Sequence, residues 1–418
     1  MAVTAIKRLN RDRPIRATAL AGNGIGRHSL LFEIGKRKIL IDPGNQSNGM
    51  VKLCQPDIIL LTHAHADHVG NLIEVYKKNP KVRIYATAPT KAIVEQVFGL
   101  SDQDQPHLVE ECLDRIRAVP YQKEFHLGRN IYARLIPAGH ILGSASIIIT
   151  APEGNFLITG DFAAQPRGVL APFRLPDMNL RALITEGSLV GVSELPEPEA
   201  EKQRFFELIG RTIARERSVV VATEPYGVFN EFALLLSRWQ DDAAPHRFQI
   251  FINQYLKNAF TSYLDHKEFS DLWLEGDPEA YTSAYLVMEP FGRKANFKEI
   301  GPFCYFAGPG SLRREFPRRV VGQILSAGGQ LIVDGRFSKS SVQKRIGKRN
   351  LSADWSSRTA LFHVFNHITG PELKSLILEV ARPTYLMHGS PAKLKRFAAE
   401  EDFNGRVSVL GLREQIVL

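Results

Sequence analysis

The chain has 418 residues, 44% of them hydrophobic, and 53 Lys and Arg against 44 Asp and Glu, a formal net charge of +9. That length exceeds one ordinary domain and predicts two, and the basic excess favours an anionic partner without specifying one. Three cysteines lie far apart with no CxxC pair, which excludes a disulfide framework and a cysteine-type zinc site and fits a reducing compartment.

No apolar run approaches the roughly 18 residues of a membrane span. The charged opening, Met1 to Arg16, does not read as a secretory signal. A cytoplasmic protein with no membrane partner is the expectation. The runs Ser29 to Ile34 and Lys38 to Ile41 predict a hairpin about Gly35-Lys36. Asp42 ends the second strand, either as a turn residue or as an acceptor that orients a nearby ligand. Ile58 to Leu61 reads as a buried strand, and Thr62-His63-Ala64-His65-Ala66-Asp67-His68 follows directly. Two apart on an extended chain, His63 and His65 point the same way. Asp67 and His68 fall where the chain turns into a helix predicted over Asn71 to Lys77. Imidazole and carboxylate are good zinc ligands, and four donors are too many for one open catalytic zinc. Two metals are expected, with His63 and His65 on one and Asp67 and His68 on the other.

Helices are predicted over Pro89 to Phe98 and Gln105 to Arg117, then a strand over Ile131 to Pro137. His140 follows that strand between glycines; a lone histidine is more often structural than a ligand. Asn155 to Thr159 is an apolar strand running into Gly160-Asp161, and a strand-end carboxylate is well placed to bridge two metals. The next strand ends at Glu186, which nothing in the local pattern marks out. From about Leu195, Pro196, Glu197, Pro198, Glu199 and Glu201 make a polar opening. Helix, strand and helix are predicted over Gln203 to Arg215, Ser218 to Ala222 and Asn230 to Trp239, and the alternation continues to about Asn350. This predicts a separate α/β lobe over residues 195–350, inserted between a first part, 1–194, and a second part, 351–418, of the other domain. Between Ser311 and Asn350 ten basic residues face only Glu315 and Asp334. Such a run is a solvated face or a surface that tracks phosphates, with Lys344, Arg345, Lys348 and Arg349 as the expected contacts. Further on, a segment over Phe362 to Ile368 leads into a helix over Pro371 to Val380, and a strand over Pro383 to Met387 ends in His388-Gly389. Val407 to Leu410 and Gln415 to Leu418 are expected to close the sheet, with nothing left over for an additional RNA-binding or dimerisation domain.

The stretch Thr62 to His68 resembles the His-x-His-x-Asp-His signature of the metallo-β-lactamase superfamily. Ala138-Gly139-His140-Ile141-Leu142-Gly143-Ser144-Ala145 and Thr159-Gly160-Asp161 resemble the third and fourth metal motifs of its β-CASP nuclease branch. Glu186, His367 and His388 stand at that branch's motifs A, B and C. The resemblance implies an α/β fold, a four-layered αββα sandwich with an inserted α/β cap. It also implies a two-zinc phosphodiesterase. One zinc would take His63, His65 and His140, the other Asp67, His68 and His388, with Asp161 bridging and Asp42 as the acceptor behind a ligand. The catalytic residues would be Asp67, His367 as the acid that protonates the leaving oxygen, and Glu186, which orients it. RNA rather than DNA follows from histidine at motif C.

The chain departs from the family pattern at several points. Glu224 to Glu231 lacks the family's arginine, and Gly308 to Ser311 replaces a glycine-methionine turn. Phe365-Asn366 replaces the small or hydroxylated residues before motif B, and Ser390 replaces a glutamate after motif C. A phenyl ring at 365 offers no donor to a 5′ phosphate, so endonucleolytic cleavage of single-stranded RNA, indifferent to the 5′ end, is expected. The competing expectations are a DNA-processing nuclease of the same fold, a small-molecule hydrolase and a non-catalytic RNA-binding subunit. A homodimer is the base-rate expectation.

Overall fold

The strands of the chain are short runs rich in Ile, Leu and Val, bounded by turns, and most are buried on both faces. The structure is a computed structural model that describes residues 14–21, 28–44, 54–99, 105–165, 170–192, 196–242, 248–252, 254–264, 288–290, 301–308, 315–334, 339–347, 353–363 and 366–418. Two units emerge. The first comprises Met1–Pro166, Ala171–Glu194 and His367–Leu418; the second comprises Leu195–Asn366 with Arg167–Leu170.

In chain order the first unit lays down β1 (Arg16–Ala21), β2 (Ser29–Ile34), β3 (Arg37–Ile41), β4 (Ile58–Leu60), β5 (Arg83–Ala86) and β6 (Ile116–Ala118). It continues with β7 (Glu124–Gly128), β8 (Ile131–Pro137), β9 (Ala145–Ala151), β10 (Gly154–Ile158) and β11 (Leu180–Glu186). The second unit holds β12 (Val219–Ala222), β13 (Gln249–Ile252), β14 (Met288–Pro290), β15 (Phe303–Ala307), β16 (Gln330–Asp334) and β17 (Thr359–Phe362). The chain then adds β18 (Thr384–Met387), β19 (Val407–Val409) and β20 (Gln415–Val417) to the first unit.

The first unit has two sheets, in the orders β20-β1-β2-β3-β4-β5-β6 and β19-β18-β11-β10-β9-β8-β7. Their inner faces share one core, in which Phe32 and Phe156 meet edge to face at 5.3 Å among Ile39, Ile58, Ile147 and Ile184. On the outer side of the second sheet, Leu373, Leu376, Leu394 and Phe397 of the helices Gly370–Val380 and Pro391–Ala398 pack with Leu183 and Leu386. The helices Leu72–Lys78 and Ala88–Gly99 bury Leu72, Val75, Ile93 and Val94. Helix, sheet, sheet and helix make the expected αββα sandwich. Truncating a ring such as Phe156 to alanine would cost about 3–5 kcal/mol.

Two local expectations fail here. The helix expected over Gln105 to Arg117 stops at Asp114, because Ile116 is buried and pairs with Ile84 at the sheet edge. The last two strands close different sheets: β19 pairs with β18 and β20 with β1.

In the second unit six strands run in the order β14-β13-β15-β12-β16-β17, every neighbouring pair parallel. Its entry helix, Pro198–Ile213, opens on a proline, and the Glu197 carboxylate caps it by accepting from the Ala200 N–H at 2.9 Å. The helix expected over Gln203 to Arg215 therefore starts earlier, within the polar opening. Strand β17, expected in the first domain, pairs with β16. It is held there by Arg204, which donates to the Leu361 carbonyl at 2.7 Å and lies over the Phe362 ring. Buried Glu201 accepts from Arg204 and from the His363 N–H. The return thus comes at His367; the expected junctions at 194/195 and 350/351 fall outside the described residues. Among the described residues no helix is long and apolar enough to cross a membrane.

Candidate metal centre

The polar side chains of the first unit collect where apolar strands end. Beyond β4, the Leu61 N–H still bonds to the Tyr85 carbonyl, and Thr62 then links both sheets: its carbonyl accepts from the Ala145 N–H at 2.8 Å. Its N–H and hydroxyl both donate to Asp42, at 2.8 and 2.6 Å. His63 is thereby launched from a fixed point. The chain turns into the short helix Ala66–Val69, which presents Asp67 and His68. After β8, Ser144 accepts from the His140 and Ile141 N–H groups, closing the turn that holds His140. After β10, Gly160 has φ +58°, and a Cβ there would sit 2.8 Å from the Thr62 side chain. Only glycine lets that turn pack against Thr62 and deliver Asp161.

The side chains form two groups that share one carboxylate. In the first, His65 Nδ1 lies 3.1 Å from both His63 Nε2 and His140 Nε2, and Asp161 Oδ2 is 3.8 Å from each of the latter. Three converging ring nitrogens cannot all satisfy one another with protons. Their spacing suits ligands about 2.0–2.1 Å from a common ion. In the second, Asp161 Oδ2 is 3.4 Å from His68 Nε2, and Asp161 Oδ1 is 3.5 Å from His388 Nε2. Asp67 Oδ2 lies 3.9 and 3.8 Å from the same two nitrogens. His68 Nε2 and Asp161 Oδ1 are buried without a hydrogen-bond partner, an arrangement that a bound cation relieves. All the expected ligands are therefore brought together, and the donor set fits divalent metal.

The electrostatics agree. Burial opposes charge on His68, yet Asp161, Asp42 and Asp67 together hold its pKa well above the ordinary value. His388 is treated the same way, burial being outweighed chiefly by Asp161, and is pushed up to about 9. Burial is likewise overcome at Asp161, where His388 and His68 hold the carboxyl well below its usual range. At His63 burial wins, reinforced by His68 and His140, and its pKa falls well below the ordinary value. In the bare protein, protons on His68 and His388 neutralise the carboxylates; metal binding would displace them.

Beside the metal groups, His367 Nδ1 lies 3.0 Å from both Glu186 oxygens. The Phe162 N–H donates to Glu186 Oε1 at 2.9 Å, and the Ser188 hydroxyl donates to Oε2. The His367 ring sits 4.5 Å from that of His140. Asp42, fully buried, accepts from His68 Nδ1 at 2.7 Å, the place expected of it. Two residues went unnoticed in the sequence. Ser188 completes the Glu186 cradle, and buried His28 stacks on His68. Lys344 is exposed on the helix Lys339–Ile346; the side chain of Arg345, and Lys348, Arg349 and Phe365, lie outside the described residues.

Comparison with known proteins follows the same line. Residues 22–188 match the metallo-β-lactamase superfamily. The chain is 24% identical over 351 residues to Endoribonuclease ysh1 of Schizosaccharomyces pombe, an alignment covering 75% of this chain and 45% of that one. It is 30% identical over 208 residues to Ribonuclease TTHA0252 of Thermus thermophilus, covering 46% of this chain and 48% of that one. The chain thus spans about half the length of these curated relatives. A crystal structure of a protein of unknown function from Enterococcus faecalis has the same fold, with a TM-score of 0.61 at 15% identity over 97% of this chain and 100% of that one. Residues 22–188 thus form a metallo-β-lactamase domain, the chain is similar to ribonucleases of the β-CASP branch, and its histidine and aspartate cluster could hold divalent metal.

Proposed function

We propose that the chain is a zinc-dependent phosphodiesterase that cuts single-stranded RNA as an endoribonuclease. The observation that carries this reading is the pair of donor groups sharing Asp161, with His367 and Glu186 beside them. His63, His65 and His140 would hold one zinc; Asp67, His68 and His388 the other. When bound, such ions lower the pKa of water toward roughly 7 and offset phosphodiester charge. Asp161 keeps both groups in register, and Asp42 fixes the tautomer of His68. The Glu186 carboxylate holds the proton on His367 Nδ1, which leaves Nε2 to pass a proton to the leaving oxygen.

RNA as substrate is supported by relatives named as ribonucleases and by the basic excess of the chain. A cytoplasmic location and a homodimer accompany the reading, the first from cysteine usage and the second from base rates. Elemental analysis of protein never exposed to chelator should give two zinc equivalents, and a clean single equivalent would sink the two-metal assignment. Matched single-stranded RNA and DNA, the RNA carrying 5′ hydroxyl, monophosphate or triphosphate, should show RNA cut internally at equal rates whatever the 5′ end. Preferential release of mononucleotides from the monophosphate substrate would overturn the endonuclease reading, and equal cutting of DNA the RNA preference.

A further inference from the structure

One buried histidine has no part in the two donor groups or in the Glu186 and His367 pair. His28 is 1% exposed and precedes β2. Its ring stacks on that of His68, with centroids 4.7 Å apart and planes within 12°, and meets His388 edge-on at 5.5 Å. Its Nδ1 lies 3.3 Å from Asp42 Oδ2, the oxygen that also accepts from His68 Nδ1 and from the Thr62 hydroxyl. Its backbone is committed as well: the His28 N–H donates to the Asp67 carbonyl at 3.0 Å, and the His28 carbonyl accepts from the Gly44 N–H. Gly44 is pressed into this knot, since a Cβ there would lie 2.0 Å from the Asp67 carbonyl oxygen and 2.1 Å from that of His28. The direct contacts of His28 fall on the Asp67, His68 and His388 side, and the first group is met only one step further on, where the Thr62 hydroxyl lies 3.0 Å from His63 Nδ1.

We infer that His28 is a positioning residue for the second donor group: it braces His68 and its acceptor Asp42, and so sets that group's affinity for a divalent ion separately from the first. The inference rests on the two-metal reading. Its chemistry is direct. Asp42 Oδ2 accepts from His68 Nδ1 at 2.7 Å, and His28 Nδ1 closes on the same oxygen at 3.3 Å. His68 is then fixed with its Nε2 lone pair toward Asp67 and Asp161, and the stacked ring keeps it from rotating. Removing such an outer partner typically costs 10–100-fold in metal affinity.

The competing account is that His28 merely fills space, in which case another flat ring would serve. Two variants of the full chain separate these. His28→Phe keeps a stacking ring but no nitrogen; His28→Asn keeps a donor near the Nδ1 position but no ring. Stepwise zinc affinities would be measured by competition with a chromophoric chelator, alongside thermal unfolding of the metal-free proteins. The expected result for His28→Phe is one equivalent weakened about 10–100-fold and the other unchanged, with the metal-free protein still folded. His28→Asn should recover part of that loss. In a His388→Ala background, where the second group is already broken, His28→Phe should leave the remaining equivalent unaffected. Two unchanged equivalents in His28→Phe, or equal weakening of both, would overturn the role of His28 alone. A wild-type protein that binds only one equivalent would overturn it together with the two-metal reading.

Discussion

The second unit pairs its strands in parallel throughout and the first mixes parallel with antiparallel pairs, and the two finish their parallel strands differently. In the first, β4, β10, β11 and β18 run out into His63, Asp161, Glu186 and His388. In the second, β12, β15 and β17 run out into Thr223, Gly308 and His363, and among the described residues no three metal-holding side chains gather there. The carboxyl ends of parallel strands are where a sheet can host chemistry. What occupies those ends decides whether it does, and the sheet itself decides nothing. Strands such as Val219–Ala222 and Phe303–Ala307 in the second unit are buried throughout and serve the core.

This contrast can be broken most sharply at the carboxylate the two groups share. Asp161→Ala should empty both groups of metal and reduce cleavage below detection. The metal-free protein should also be destabilised, because Asp161 is the chief partner that offsets the burial of His68 and His388. One full equivalent retained in that variant would mean the groups are independent. Next in size, His367→Ala should keep its metal and lose about 10²–10⁴-fold in cleavage rate. Loss of zinc in that variant would make His367 a ligand rather than an acid.

A pH titration sharpens the same point. The metal-free His388 has a pKa raised to about 9, so its contribution to folding is full below its ordinary value of 6.5. That contribution is lost as pH rises through about 9, on the order of 3 kcal/mol. Urea unfolding of chelated protein should therefore weaken from pH 6.5 to 9, and zinc-loaded protein should not follow, its metal having replaced the proton. Parallel curves would exclude the exchange. The smallest effect belongs to the second unit. Neutralising Lys344, Arg345, Lys348 and Arg349 should flatten the salt dependence of RNA binding by up to about 0.7 per lost contact, with metal content intact. An unchanged slope would leave that run as solvated surface.

The ligands were legible in the sequence because each follows an apolar run, and four of them fall within six residues. Strand spacing put His63 and His65 together even though regular pairing ends at Leu60. The sandwich came from resemblance, and its details obeyed tertiary packing. Helical propensity extended past Asp114, and burial of Ile116 beside β5 overrode it. Strand β17 had no signal in the sequence, because Glu201 and Arg204, which hold it beside β16, lie far back in the chain. His28 had no signal at all: its partners Asp42 and His68 come from separate segments, and only the folded chain stacks the two rings.

Asp42 and His388 share one further property, a left-handed backbone, with φ of +56° and +55°. Aspartate and histidine visit that region more readily than most residues, but glycine is at home there, and a side chain costs on the order of 1 kcal/mol or more. Glycine would relieve that backbone cost, but at 42 it would strand the N–H and hydroxyl of Thr62 and at 388 it would take a charged partner from Asp161. A library selected only for thermal survival, with no demand on metal or turnover, should therefore keep both side chains, the larger loss outvoting the backbone's preference.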